Sequence, residues 1–480
     1  MLSLMSSLLI AQSSPVSFFT ENQRLTQPQE VRTLPGHLND VQVFNSNSPE
    51  VVKNEGILLS TFPGDINKFP TAHLNKPLSG RFDVFCHHIA RPTEKDRPLY
   101  QGIIVYNPGN QPVTIKILQA ASYLTSSDAP FVELPSQVED PQGSVFSGPG
   151  SRLMGDVLRG VNQPIFPEQI VIPPGQSKML FSLLIPASSA RSTFMRLESS
   201  GRVYMANLAM YGIPEYPPTP PNVATKNTKK KLDPTSEPPE PTPPPPPPTY
   251  REPALAEWRK LLLTGQLVSP RDLPPTPLND PTVVKTIYGR VAGISQGSEW
   301  SAKIVDQPGS NYLTIPKPGQ AFSYPVSTVN EGTYGTEQVQ SAPMLVRYPD
   351  TAYLAHGNYG VHYYLTLPLR NNTSVAQTVT ITLQTPLKQD RYSDRLFFVQ
   401  HPQGQVFFRG TVRVSFVDKR GQTQSRYFHL VQRQGQQGEP LLSLNLQPQE
   451  MREVTVDFIY PPDATPPQVL TIRTLDYLAR

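Results

Sequence analysis

The sequence predicts a mainly β protein: two tandem antiparallel β-sandwich domains of immunoglobulin-like type, joined by a proline-rich linker, with few short helices. Three observations carry this. Prolines number 56 in 480 residues, about twice the usual ~5%, and each one inside a helix costs ~3 kcal/mol. Apolar and polar residues alternate over short runs, the period of a half-buried strand. Those runs recur in the same order on both sides of residues 213–249, where 15 of 37 residues are proline and Pro243 to Pro248 are consecutive.

The chain opens on an apolar run, residues 2–11 (LSLMSSLLIA), followed by Gln12-Ser13-Ser14-Pro15. The run is too short for a ~30 Å hydrocarbon layer, which needs about 20 residues. It has the length and flank of a signal-peptide core, with Ala11 and Ser13 placed for cleavage, although no Lys or Arg precedes Arg24. Residues 1–13 are therefore expected to be a signal peptide. No other stretch reaches membrane-spanning length.

Residues 14–212 are expected to form the first β-rich domain. Residues 102–106 and 113–118 read as strands joined by the turn Asn107-Pro108-Gly109-Asn110, with Val113, Ile115 and Ile117 alternating with Thr114 and Lys116. Residues 151–159 suit a short helix capped by Ser151. Residues 172–176 turn into a strand with Met179, Phe181, Leu183 and Ile185 on one face, and 202–210 read as a final strand.

The segment 213–249 favours polyproline II and has almost nothing to bury, so it reads as a spacer. The second β-rich domain, 250–480, is opened by an amphipathic helix at 253–264. Pro253 suits its first position, Gly265 its stop, and Leu255, Trp258 and Leu262 share a face. The earlier order then repeats: 365–374 leads into Val379, Ile381 and Leu383. Residues 446–450 match 172–176 and open a strand with Val454, Val456 and Phe458 inward, and 469–474 closes the chain. Residues 406–416 and 426–431 read as a hairpin around Asp418–Gly421.

Charge and motifs exclude several function classes. Lys and Arg total 42 against 38 Asp and Glu, a net +4 too balanced to argue for a nucleic-acid partner. The single cysteine, Cys86, forbids an intrachain disulfide and a Cys-rich zinc site. Residues 82–90 read as a strand with Cys86 and His88 on the Phe82 and Val84 face, and His87 opposite with Phe85 and Ile89. Two ligands on one strand fall short of a soft copper site, so a semi-buried, hydrogen-bonded histidine is the expectation. Gly293-Ile294-Ser295-Gln296-Gly297 fits the G-x-S-x-G spelling without the strand-turn-helix context that a nucleophile elbow needs. Gly64–Asn67 begins like a calcium loop but lacks the later ligands, and Asp390–Arg395 reads as self-neutralising surface charge. No catalytic residue, cofactor or metal site is assigned. The densest cluster of binding-type side chains is 355–362, so His356, Asn358, Tyr359 and His362 are the candidate ligand-binding residues.

Five phrases, residues 43–50, 56–62, 80–85, 345–353 and 355–363, together resemble an exported cyanobacterial family known only as a domain of unknown function. The resemblance covers most of the chain outside the proline-rich segment. It implies export and no particular activity, cofactor or catalytic residue. The expected protein is an exported, non-enzymatic binding or structural component of the periplasm or cell envelope, with an envelope glycan or protein as partner. A hydrolytic or carbohydrate-active envelope enzyme, its acid and base drawn from distant loops, is the first rival. A periplasmic chaperone that captures partners at strand edges is the second.

Overall fold

The computed structural model describes residues 24–65, 67–94, 97–216, 247–278, 285–418 and 420–476. The expected signal peptide and residues 217–246 of the expected linker lie outside them. Among the described residues the chain is mainly β, with 28 strands and two α-helices, α1 (Pro149–Leu158) and α2 (Leu255–Thr264). The strands form a twelve-stranded, a seven-stranded and a five-stranded sheet and two two-stranded ladders. Most pairs are antiparallel, but Gln42–Ser46 runs parallel to Leu78–Ala90, and Glu299–Lys303 parallel to His362–Arg370.

The twelve-stranded sheet folds over on itself through one strand, Ala190–Tyr211. Its first half pairs with Leu78–Ala90 and Val113–Leu124, and its second half with Leu99–Tyr106. Pairing with Leu78–Ala90 breaks between Ser199 and Val203, where the sequence is Ser-Ser-Gly and the Ser199 hydroxyl donates to the Gly201 carbonyl at 2.8 Å. The sequence shows only 202–210 as a strand because the first half is covered on both faces: Phe194 packs on one side, Met195 and Leu197 on the other. Clean alternation needs one wet face. Residues 102–106 and 113–118 do not close a hairpin, because they pair with opposite halves of Ala190–Tyr211 and the turn at Asn107 carries the chain from one layer to the other.

The repeat read from sequence has a physical counterpart. The Asn107 side chain donates to the carbonyls of Gln111 (2.7 Å) and Ile172 (3.0 Å) and accepts from the Gly109 amide. Asn371 donates to Val375 (2.8 Å) and Leu446 (3.0 Å) and accepts from the Thr373 amide. The backbones agree too: Asn107 bonds with Gln176 and Gly175, and Asn371 with Glu450 and Gln449. Gly175 and Gln449 both take the left-handed conformation, φ 65° and 62°. Each asparagine thus ties a turn to the strand that returns beside it.

The seven- and five-stranded sheets share the largest apolar cluster, with Leu365, Leu367, Val454 and Val456 on one sheet and Ile381 and Leu470 on the other. The two sides of the proline-rich segment are interleaved. Arg24–Pro28 pairs with Arg395–Val399, Ala292–Gln296 with Gln42–Ser46, and Gln137–Glu139 with Thr423–Arg433. The segment's two flanks, Ile213–Glu215 and Thr249–Arg251, pair antiparallel, so the chain leaves and re-enters at one place.

The helices lock layers together. In α2 the cap is Ala254, because the Glu257 carboxylate accepts from the Ala254 amide at 2.7 Å, which moves the start past Pro253. Trp258 and Leu262 are its buried residues, packed on Ile57, Ile104 and Leu208. A Cβ on Gly102 would lie 2.9 Å from the Trp258 indole and 2.8 Å from the Met179 methyl. Gly102→Ala is therefore expected to cost about 1–3 kcal/mol by overpacking, read as a lower urea midpoint at unchanged m-value; an unchanged midpoint would show that α2 does not seat on Gly102.

In α1 the cap is Gly148 with Pro149 at the first position. Ser151 lies inside the helix, its hydroxyl donating back to the Ser147 and Gly148 carbonyls. The Ser151 amide is taken by Asp463 Oδ2 at 3.0 Å, a cap supplied from far along the chain. Leu153, Met154 and Val157 wedge between Phe85 and Phe194 of the twelve-stranded sheet and Ile459 of the seven-stranded one.

Candidate functional site

The loop at 355–361 turns on Asn358, left-handed at φ 48°, a conformation asparagine tolerates. Its side chain is spent inside the fold: Oδ1 accepts from the Ala342 amide at 3.0 Å, and Nδ2 donates to the Gln340 carbonyl (2.8 Å) and the Tyr363 hydroxyl (3.0 Å). Tyr359 donates to the Ala464 carbonyl at 3.1 Å, with its ring stacked near Tyr460 at 18°. His356 lies 4.5 Å, ring to ring, from Tyr288 and shares a hydrogen bond with Ser341 at 3.3 Å; burial pushes it down to about 4.

Asn358 and Tyr359 line a cavity of about 10 Å³ with Asn45, Phe194 and Ser295, room for no more than one water. His356 and His362 are not among its walls. The fold therefore disperses the four candidate residues over three environments.

His362 points into the most charged environment of the four. It sits on the same face as Tyr364, and its Nε2 lies 2.9 Å from Asp457 Oδ2 while Nδ1 is 3.7 Å from Glu299. Asp457 is fully buried, and Arg413 grips both its oxygens, Nε to Oδ1 at 2.9 Å and Nη2 to Oδ2 at 2.6 Å. Burial alone would raise the Asp457 carboxyl, but the bonds from His362 and Arg413 outweigh it and hold the group below its ordinary range. Burial alone would likewise lower His362, yet Asp457 and Glu299 hold its imidazolium above the ordinary value.

Across the seam the twelve-stranded sheet presents Asp83, ion-paired with Arg81, and Arg196, whose guanidinium donates to Gln119 at 2.7 Å. Burial raises the Asp83 carboxyl against the pull of Arg81, and burial lowers Arg196 against the pull of Asp83. Three arginines thus face three carboxylates, and a proton on His362 adds one positive charge to an otherwise balanced seam. Chemically this is a proton-holding ion network joining two sheets. Both oxygens of Asp457 are occupied, so it offers no free carboxylate to a substrate.

The sequence shows His362 but not its partners. The one available signal is Asp457 itself, a lone acid in the apolar alternation of Val454, Val456 and Phe458, since a carboxylate there must be paired.

Cys86 and His88 fall on the apolar face as expected, and both are buried. The His88 Nδ1–H donates to the Pro49 carbonyl at 2.9 Å, which leaves Nε2 to accept from Ser46 (3.1 Å) and Asn207 (3.2 Å). Asn207 also reaches the Cys86 sulfur at 3.6 Å. Burial pushes the thiol up and lowers His88 to about 4, against the Pro49 bond. Opposite, His87 meets Ser192 at 2.8 Å and burial lowers it to about 3. Among the described residues no three His, Cys, Asp or Glu side chains gather to hold a metal. Ser295 lies within a buried strand, Ala292–Gln296, paired on both sides, not on a turn that presents a nucleophile.

An open groove of about 520 Å³ runs between Val417–Asp418 and Gln447–Glu453. Met451, 56% exposed, and Val417 give it apolar walls. Among the described residues no helix is long and apolar enough to cross a membrane.

A family model described as "Protein of unknown function (DUF3370)" matches residues 29–474. No curated protein matches the chain.

Proposed function

The chain belongs to the family described as Protein of unknown function (DUF3370), and we propose that this member is an exported, non-enzymatic binding or structural protein of the cell envelope. The observation that carries the reading is where its reactive side chains go. His362 is clamped by Asp457 and Glu299, His88 is locked in a buried hydrogen-bond knot, and Asn358 stitches its own loop. These groups hold layers together instead of converging on a cleft. The matching asparagine ties at Asn107 and Asn371 support two β-sandwich modules of common plan, and the apolar run 2–11 supports export.

The partner surface is the groove beside Met451, where two apolar side chains, Val417 and Met451, sit among Asp418, Gln447, Glu450, Arg452 and Glu453, a mixture that suits a segment of envelope glycan or protein. Capture at a strand edge is less well supported. The apolar strand Ser177–Ile185 pairs with Leu99–Tyr106, and its other side carries the features that blunt an edge. Lys178 is exposed, a bulge lies between Met179 and Phe181, and Arg191 donates twice to the Leu184 carbonyl.

Two measurements test the proposal. Fractionation of the native host, with the mature N-terminus read by mass spectrometry, is expected to give a form beginning near Ser13 or Ser14 in envelope fractions; an intact Met1 in the cytosol would overturn export. Retention of the protein on peptidoglycan, envelope polysaccharides and envelope proteins is expected to fall about tenfold in Met451→Glu. Equal retention of both proteins would remove the groove from the account.

A further inference from the structure

His429 is fully buried, and neither of its ring nitrogens has a hydrogen-bond partner. A buried polar group left unpaired is costly, so its surroundings decide how the protein answers to acid. His429 pairs across the ladder with Thr411 on one side and Val138 on the other, which places it on the outer face of the seven-stranded sheet. That face is covered by α1, which is reached from the sheet's own edge strand. Gln137–Glu139 pairs with residues 428–430, the Asp140 amide donates to the Tyr427 carbonyl at 2.7 Å, and α1 follows. A Cβ on Gly155 would lie 2.8 Å from Thr411 Oγ1, so the helix rests directly on the strand beside His429.

We propose that residues 137–158 form an acid-released clamp between the two sheet systems, with His429 as its trigger. Closed, the clamp joins Phe85 and Phe194 to Ile459 through Leu153, Met154 and Val157. It is anchored at Asp463, which accepts from the Ser151 amide, and at Tyr427, whose carbonyl accepts from the Asp140 amide and whose ring lies 3.9 Å from the Arg159 guanidinium. The charges facing His429 do not favour a proton there. Asp140 attracts one but is already paired with Arg159, and Arg409 repels it. The segment's other acids are engaged elsewhere, Glu139 by Arg426 at 2.8 Å and Asp156 by the Tyr123 hydroxyl. An imidazolium formed under the clamp would be a buried charge without a partner. Once the segment lifts, the imidazole meets water and takes its proton at the ordinary value, so acid draws the equilibrium toward the open form.

The size follows from linkage. Burial holds His429 down to about 4 when closed, against 6.5 in the open, so its own contribution to the opening constant is expected to rise about tenfold between pH 7.5 and pH 5.5, while Asp463, held up to about 6 when closed, acts the other way whether or not His429 is present. Native-state hydrogen exchange on the full chain, corrected for the intrinsic effect of pH, reads this directly. The protection of the amides of 150–158 in wild type, relative to His429→Phe, is expected to fall about tenfold between the two pH values, and at both it stays below that of 363–369 and 454–458, which exchange by global unfolding. His429→Phe fills the site without an unpaired nitrogen and supplies the reference; His429→Leu serves if the larger ring does not fold. Equal pH dependence in wild type and variant would overturn the proposal, as would protection at 150–158 equal to that of the sheet strands, which means global unfolding instead of a released clamp.

Discussion

Asp457→Ala is expected to lower the unfolding free energy by about 3–5 kcal/mol, the cost of removing one partner from a buried ion pair. The residue is fully buried and serves two cations at once, Arg413 through both oxygens and His362 through one. Without it, two charged groups, on the strands that flank its own, face each other, and His362 is left with only the half-exposed Glu299, 3.7 Å away. Arg413 retains some access to water, which places the expected loss toward the lower end. Urea unfolding of the two proteins measures it. In a double-mutant cycle with Arg413→Met, the second substitution is expected to cost much less on the Asp457→Ala background than alone, because the pair acts as a unit. Independent, additive losses would show that the bidentate contact carries no coupling.

The sign of the pH effect at this site is opposite to that of the other buried histidines. His362 is held above its ordinary value, so its contribution is present in acid and is lost as pH rises through the folded value. Asp457→Ala should remove that alkaline decline along with the stability.

Acid is expected to unfold the protein with a midpoint near pH 5, well above what carboxylate titration alone would give. Burial lowers His87 to about 3 and both His88 and His429 to about 4, against 6.5 in the unfolded chain. For a base held down in the native state, stability is complete at neutral pH and is lost as pH falls from about 6.5 toward 4, because only the unfolded chain takes the proton. At pH 5 each of the three costs about 2 kcal/mol, about 6 kcal/mol together. His73 and His356, also lowered to about 4, act in the same direction. Asp463 opposes them. Burial raises it to about 6, so it returns about 1 kcal/mol on going from pH 7 to pH 5. The net loss is comparable with the 5–15 kcal/mol typical of a folded protein. Far-ultraviolet circular dichroism from pH 8 to pH 3 measures the midpoint, and an unchanged spectrum at pH 4 would refute the argument. His429→Phe is expected to move the midpoint to lower pH, since it removes one of the three costs.

Much of the strand inventory was legible because alternation is a local property. Val113, Ile115 and Ile117 face the core as their period requires, and so do Val454, Val456 and Phe458. The helix over Trp258 was legible from its apolar face, its cap being shifted by one carboxylate, Glu257. The first half of Ala190–Tyr211 was hidden because a strand buried on both faces carries no alternation. The candidate residues show the same division. His356, Asn358, Tyr359 and His362 were found as a dense group of hydrogen-bonding side chains, but which of them turns inward depends on Gln340, Asp457 and Ala464, which no local pattern links to them.

By itself the sequence determined a mainly β chain and the turn at Asn107, and pointed to two rounds of one strand order, because each of these is written within a few residues. Only the tertiary structure decided that strands from both rounds enter the same sheets, that the flanks of the proline-rich segment meet at Ile213 and Arg251, and that Asp463, Asp457 and Arg413 serve α1 and His362. The reason is physical. Burying a charge or an unpaired amide is too costly to leave uncompensated, and the group that compensates it is chosen by proximity in space, which can lie hundreds of residues away along the chain.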